Sequence, residues 1–340
     1  MRRAYAYIAI ALLGWSIGPV GSKSLLAIRD RVAPQPLQVA FWAISAGWVM
    51  LFVVLLARRR LGRLGDFSGR GWAVLVAMGL FGWAGYAGAL NFALAHLPLP
   101  DAVVINYLHP VFTVIFQGAA FGVVVRGVSG WEQEEEVKAR PPAGRLAAGL
   151  VLCLLGVAFI AAKGKLGGLG HFGSLGAALA ALFAAFAWGV YSNLGRFVAV
   201  KPGREARGLA DVQTFAAMTC GVVMLGAVLA LGGNLHSPTG YSTRLYFASW
   251  GPVPVSAWLV FAAMGLFLYC MGFTFWLAGL EAGRAAGGAH RLPPLAYVTP
   301  VLTMTNGWLL LHESFGQGFW EGAILIALGN AAIAVGGRHR

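Results

Sequence analysis

The sequence predicts an all-α integral membrane protein with ten transmembrane helices, arranged as two inverted five-helix repeats. Three observations predict it. Hydrophobic residues make up 59% and charged residues only 11% of the 340 residues, with a mean hydropathy of +0.72. Soluble domains run near 25% charged, so this chain cannot cover itself with polar side chains and its solvent is lipid. Apolar runs of about 20 residues, the length that crosses a bilayer, recur along the chain. Finally, the pattern Tyr-x-x-Pro-Val-x-Thr occurs twice inside such runs, as Tyr107, Pro110, Val111 and Thr113 and as Tyr297, Pro300, Val301 and Thr303.

The expected spans are 4–27, 37–57, 71–95, 99–125, 145–162, 174–198, 211–232, 256–280, 287–311 and 317–337. The first follows Arg2 and Arg3 like a secretory leader. Its apolar run continues with no small-residue cleavage site, so it reads as a retained helix. The fourth and ninth carry the repeated pattern. Most connections are short. Loop 126–144 carries Glu132, Glu134, Glu135 and Glu136, and loop 233–255 is rich in Gly, Ser, Pro and aromatics. Both read as solvated, the first cytoplasmic and the second external.

The formal net charge of +13 would fit a nucleic-acid binder. Here, however, the basic residues stand in short clusters between apolar runs, which is the mark of membrane topology, so no nucleic-acid partner is expected. With the N-terminus in the cytoplasm, only Lys23, Arg29, Arg31, Lys163, Lys165 and Arg244 of the 25 basic residues fall on outer flanks. The positive-inside rule therefore puts both termini in the cytoplasm. Cys153, Cys220 and Cys270 stand mid-run without CxxC spacing and read as small apolar packers. No metal and no cofactor is expected.

Other landmarks repeat in the same order as the proline pattern. Trp15 in the first span answers Trp188 in the sixth. Asn91-Phe92-Ala93-Leu94-Ala95 answers Thr274-Phe275-Trp276-Leu277-Ala278. The halves are 1–162 and 163–340. Five is an odd number of spans, so the second half must run inverted, an architecture that places a site near the midplane between halves.

At this point the residues carry a resemblance. Asn106-Tyr107-Leu108-x-Pro110 with its echo Tyr297-Val298-Thr299-Pro300, Leu311-x-Glu313, Gln317 to Gly322, and the pair Trp15 and Trp188 resemble the drug/metabolite transporter superfamily of the EamA type. The resemblance covers nearly the whole chain. Asn106-Tyr107-Leu108-x-Pro110 followed by Thr113 is most similar to the aromatic amino-acid exporter branch. The first half departs from the family, with the Glu-rich insertion where a short Gly-Glu turn would follow the fourth span. The resemblance implies a secondary transporter of the bacterial inner membrane, an exporter of small metabolites, with aromatic or apolar amino acids foremost. Drugs or other metabolites are the substrate alternative.

The residues themselves suggest where a solute would sit. Pro110 cannot bond the carbonyl of Asn106, Pro300 that of Ala296, or Pro19 that of Trp15. In lipid such carbonyls need protein or water. Kinked helices facing a wet central cavity would meet that need, and packing kinks are the plainer alternative. Asn106, Trp15, Tyr86, Tyr107, Trp188, Tyr191, Trp276 and Tyr297 are the candidate substrate contacts. Flat rings stack on apolar solutes or hold cations, though the same rings also serve core packing or interfacial belts. His109 lies near mid-membrane, as a substrate contact or as a neutral hydrogen-bonded imidazole. Arg291 either holds a substrate carboxylate at a helix start or snorkels below a helix beginning at Pro293.

The expectation is alternating access by a chain functional as a monomer, with a small-molecule substrate and the lipid bilayer as its partners. Gly168-x-Gly170-x-x-Gly173 follows no strand and is not a dinucleotide fingerprint. A rival intramembrane enzyme would need paired catalytic groups at one depth, and a membrane sensor would lack a cavity.

Overall fold

A computed structural model describes residues 1–26, 36–97, 99–116, 143–162, 164–165, 174–205, 208–231, 255–311 and 317–335. Thirteen α-helices are placed among them: α1 (Arg2–Leu26), α2 (Pro36–Ala57), α3 (Gly69–Met78), α4 (Tyr86–His96), α5 (Leu99–Asn106), α6 (His109–Phe116), α7 (Ala143–Ala161), α8 (Leu175–Leu194), α9 (Ala210–Leu231), α10 (Val255–Ala263), α11 (Phe273–Ala285), α12 (Thr299–Leu311) and α13 (Phe319–Val335). Helix occurs within every range expected from the sequence. Six segments have the length and hydropathy of a membrane crossing: Arg2–Ser22, Leu37–Ala57, Gly69–Leu94, Leu175–Phe197, Ala210–Ala230 and Val255–Ala285. Val104–Phe116, Gly144–Ile160 and Phe319–Ile333 are shorter apolar helices. Most of loop 126–144, nearly all of loop 233–255 and Glu313 lie outside the described residues.

Two spans are widened rather than straight. α3 passes into α4 through the π-helical stretch Gly79–Gly85, and α10 into α11 through Met264–Gly272. A π-turn adds a residue and loosens the backbone ladder, often at functional sites. Both stretches end in glycine and carry another at or next to their start, Gly79 and Gly265, and both face a neighbouring helix closely. A Cβ on Gly265 would stand 2.6 Å from the backbone nitrogen of Gly47, and one on Gly79 2.8 Å from the carbonyl oxygen of Ala217. The sequence had read these spans as regular helices.

The neighbours pair off in a regular way. α1 packs on the 264–272 stretch and α11, as α8 packs on the 79–85 stretch and α4. α2 lies on the 264–272 stretch as α9 lies on the 79–85 stretch, and α2 and α9 touch each other. α6 packs on α8 as α12 packs on α1, and α7 pairs with α13. Large apolar side chains such as Leu13, Val223, Leu259 and Leu328 point outward, whereas the interior of α8 is lined by Ala177, Ala181, Ala184, Ala185 and Ala187. Alanine inside and leucine outside suits lipid, because helices there associate by close packing rather than by hiding grease from water.

The loops after α2 and α8 meet at one end of the bundle. An isolated antiparallel bridge joins Phe67 and Val200. The buried Asp66 carboxylate receives Arg63 and, at Oδ1, the Arg204 guanidinium at 3.3 Å. Arg60 Nη1 lies 2.9 Å from Asp211 Oδ2, and the Gly208 N–H donates to Glu281 Oε1 at 2.8 Å. The strap thus ties together α2, α9 and α11. Beside it stands an unusual backbone. α2 ends in a left-handed residue, with the Arg59 N–H bonded to Leu56 O and the Arg60 N–H to Leu55 O, a pattern that normally takes glycine. Arg59 adopts it at φ 53°. Arg59→Gly is expected to stabilise the protein by about 1 kcal/mol, read as a higher midpoint in detergent unfolding.

Candidate functional site

At both copies of the proline pattern the regular α-helix is interrupted. In the first, α5 ends at Asn106, a turn occupies Tyr107 and Leu108, and α6 begins at His109. In the second, a 3-10 helix runs Pro293–Val298 and α12 begins at Thr299. Pro110 and Pro300 are therefore second residues of new α-helices. There a missing N–H costs little, because first-turn donors have no intrahelical partner. The carbonyl of Ala296, which Pro300 cannot serve, accepts instead from the Thr299 N–H through the tighter 3-10 geometry. α1 continues through Pro19, whose side chain lies outside the described residues.

Around these changes stands a cluster of rings drawn from α1, α4, α6, α8 and α11. The Trp15 and Trp188 centroids lie 4.8 Å apart, nearly edge-on at 83°. Trp276 is 4.9 Å from Trp15 and 6.1 Å from Trp188. Tyr86 is 4.9 Å, Tyr191 5.7 Å and His109 5.5 Å from Trp188. The chain of contacts continues from His109 to Tyr107 at 5.5 Å, and from Tyr107 to Tyr297 at 6.4 Å. Trp15 with Trp188 and Tyr107 with Tyr297 were matched in the sequence as repeat partners, and each pair meets in space. Asn106 lies within hydrogen-bonding reach of Tyr86, and Tyr107 of Thr299, although Asn106 Oδ1 and Thr299 Oγ1 accept no well-formed bond.

The cluster is buried and polar at its edges. Trp15, Trp188, His109 and Asn106 are all more than nine-tenths buried, and Tyr191, Trp276 and Tyr297 are fully so. Tyr86 and Tyr107 are half-buried. Trp276 Nε1 donates to Ser192 Oγ at 3.0 Å. Trp15 Nε1, Trp188 Nε1, His109 Nδ1 and Tyr297 Oη have no partner, and Tyr191 Oη lies within reach of Thr214 without a well-formed bond. A buried donor without a partner costs about 1–3 kcal/mol, so several together call for an explanation. Rings flanked by unsatisfied N–H and O–H groups can receive a molecule that is flat and apolar over most of its surface and polar at one end.

Arg291 stands apart. It ends the 3-10 turn Ala289–Arg291, and the next helix begins at Pro293, the start that leaves Arg291 below it. Six residues at 3-10 rise set it about 12 Å from Tyr297 along the axis. Among the described residues no group of three His, Cys, Asp or Glu side chains could hold a metal ion. Trp72, Trp258 and Trp320 are exposed near helix ends, and Trp250 lies outside the described residues.

Sequence reasoning missed three rings. Phe273 stacks on Trp83 at 4.0 Å and lies 5.0 Å from Trp188, and Tyr269 lies 5.9 Å from Trp83. A signal for one of them was present. The register that sets Asn91 against Thr274 also sets Tyr86 against Tyr269.

Comparison with known proteins gives the family and the fold. The model of the EamA-like transporter family matches residues 2–128 and 175–335. A solved structure titled only "Crystal structure of protein" superposes with a TM-score of 0.68, covering 98% of this chain and 97% of that one. At 22% identity that likeness is one of fold. No curated protein matches the chain.

Proposed function

The chain belongs to the EamA-like transporter family, and from that membership we propose that it exports small amphiphilic metabolites, aromatic or apolar amino acids foremost, by alternating access. It is an integral membrane protein of the drug/metabolite transporter type. The observation that carries the substrate reading is the ring cluster around Trp15 and Trp188, with its unpaired indole, imidazole and phenol groups. Rings supply area for an aromatic or branched side chain. The unpaired groups supply donors for a carboxylate and acceptors for an amine. The family's function leaves an enzyme reading without support.

In this reading ten spans cross the bilayer, as halves 1–162 and 163–340 inverted relative to each other. The paired contacts of α6 with α8 and of α12 with α1 support that symmetry, as do the two widened stretches. The site lies between the halves near the midplane, with the backbone changes at Tyr107–Leu108 and Val298–Thr299 on its wall. Both termini are cytoplasmic, the membrane is the bacterial inner membrane, and the monomer is the working unit. Placement in the aromatic amino-acid exporter branch rests on Asn106, Tyr107, Leu108, Pro110 and Thr113.

The test is transport by purified protein in liposomes. Labelled tryptophan, phenylalanine, tyrosine and leucine are offered beside ethidium, a flat cation that aromatic faces also attract. Uptake of the amino acids above that of empty liposomes supports the proposal. Uptake of ethidium alone moves the substrate to cationic drugs, and uptake of none overturns the substrate class.

A further inference from the structure

We propose that Asn193 and Arg196 are positioning residues that dock the half-helix α6 on α8 and so hold His109 against the ring of Trp188. The relevance to transport rests on the reading of His109 and Trp188 as part of the solute site. The docking itself does not.

Three contacts, on successive turns, join α6 to α8 and to the 3-10 turn Gly195–Phe197 that follows it. At the first, Gly189 lets the backbones approach. A Cβ there would stand 2.6 Å from Phe112 Cβ and 3.1 Å from the Thr113 nitrogen, closer than real Cβ contacts come. At the second, Asn193 Nδ2 donates to Thr113 O at 3.0 Å and to Gly189 O, in its own helix, at 2.9 Å. At the third, Arg196 Nη2 donates to Phe116 O at 2.9 Å. Asn193 and Arg196 are both more than nine-tenths buried. Each lies 80 residues beyond the carbonyl it serves. The two helices are thus stitched in one fixed register.

That stitching matters because of what precedes it. α6 is only eight residues long, and the turn at Tyr107–Leu108 separates it from α5. A helix so short has little stability of its own and takes its position from what it packs on. The imidazole of His109, at its first residue, has no side-chain bond at Nδ1 to fix it. Its backbone carbonyl accepts the Thr113 hydroxyl at 2.8 Å, a bond within α6. The position of His109 relative to Trp188, 5.5 Å between rings, is therefore set by the docking of the whole half-helix. Side chains reaching from α8 and the 3-10 turn after it to backbone carbonyls of α6 also hold it independently of which side chains α6 carries.

The second half holds its equivalent pair differently. Asn306 Nδ2 on α12 donates to Ser16 Oγ on α1 at 2.7 Å, and the Ser16 hydroxyl donates to Leu13 O at 2.7 Å. That link joins two side chains, whereas the links from Asn193 and Arg196 end on backbone carbonyls.

The docking is read directly by placing a cysteine at 109 in a chain whose Cys153, Cys220 and Cys270 are alanine, and timing its reaction with N-ethylmaleimide. Adding Asn193→Ala is expected to speed labelling about fivefold, the population shift from losing one net hydrogen bond. Arg196→Met, which keeps the aliphatic stem and removes the donors, should act in the same direction and serves if the first variant does not fold. An unchanged labelling rate in a variant that melts cooperatively overturns the proposal. In liposomes with labelled tryptophan as probe, Asn193→Ala should raise KM. On a His109→Ala background it should add nothing, because residues that act through one another are not additive. Full additivity overturns the positioning role. If His109→Ala alone leaves tryptophan transport unchanged, the solute-site reading fails, while the labelling rate still reports the docking.

Discussion

Trp188→Ala is expected to abolish tryptophan transport in liposomes and to lower the thermal midpoint in detergent more than any other single ring deletion. The indole touches Trp15, Tyr86, His109, Tyr191, Phe273 and Trp276, rings contributed by five helices. Truncation leaves a hole where those helices meet. Large aromatic deletions in packed interiors cost about 3–5 kcal/mol, because the surroundings relax only partly. Trp188→Phe keeps one ring in place and should recover much of the stability but little of the transport, since it lacks the indole N–H. Trp320→Ala, on an exposed ring near the start of α13, should change stability by no more than about 0.5 kcal/mol. Equal melting of the Trp188→Ala and Trp320→Ala proteins would remove Trp188 from the centre of the fold.

Gly156→Val should produce the next largest effect, far from the rings. α7 and α13 cross at two glycine pairs, Gly149 with Gly329 and Gly156 with Gly322. A Cβ on Gly156 would stand 2.5 Å from Gly322 O and 3.0 Å from the Ile326 nitrogen, so the backbone itself must move. Separating the helices loosens Cys153, Val157, Ile160, Ile326 and Ile333, which fill the seam. Overpacking of this kind costs about 1–3 kcal/mol. The control is Gly144→Val on the same helix, where a Cβ meets nothing within 4 Å. A lower melting midpoint for the first and an unchanged one for the second is the expected pattern. Equal effects would mean that the seam is not close-packed.

The fold class was legible because composition and run length are blunt signals. The proline pattern, Trp15 with Trp188, and Tyr107 with Tyr297 were legible because the chain says them twice. The local backbone was not legible. Proline in an apolar run looks the same in sequence whether it kinks one helix or opens another. The difference lies in whether the preceding turn tightens to 3-10 geometry, as it does before Thr299. The π-helical stretches were equally hidden, since glycine spacing in Gly79–Gly85 fits an ordinary helix too. Phe273 escapes notice because its echo in the first half has different chemistry. Asn193 and Arg196 carry no motif and stand near the end of the expected span 174–198. Only their reach to the carbonyls of Thr113 and Phe116 distinguishes them.

The glycine seam between α7 and α13 also bears on how the protein is made. Roughly 160 residues separate the end of α7 from the start of α13. At ribosomal speeds of about 5–20 residues per second, α7 waits on the order of ten to thirty seconds in the membrane before its partner exists. During that interval its small-residue face is uncovered. A second newborn chain at the same stage presents an identical face. Crowded synthesis should therefore favour mispaired α7 helices, and slower initiation should raise the yield of correctly assembled protein.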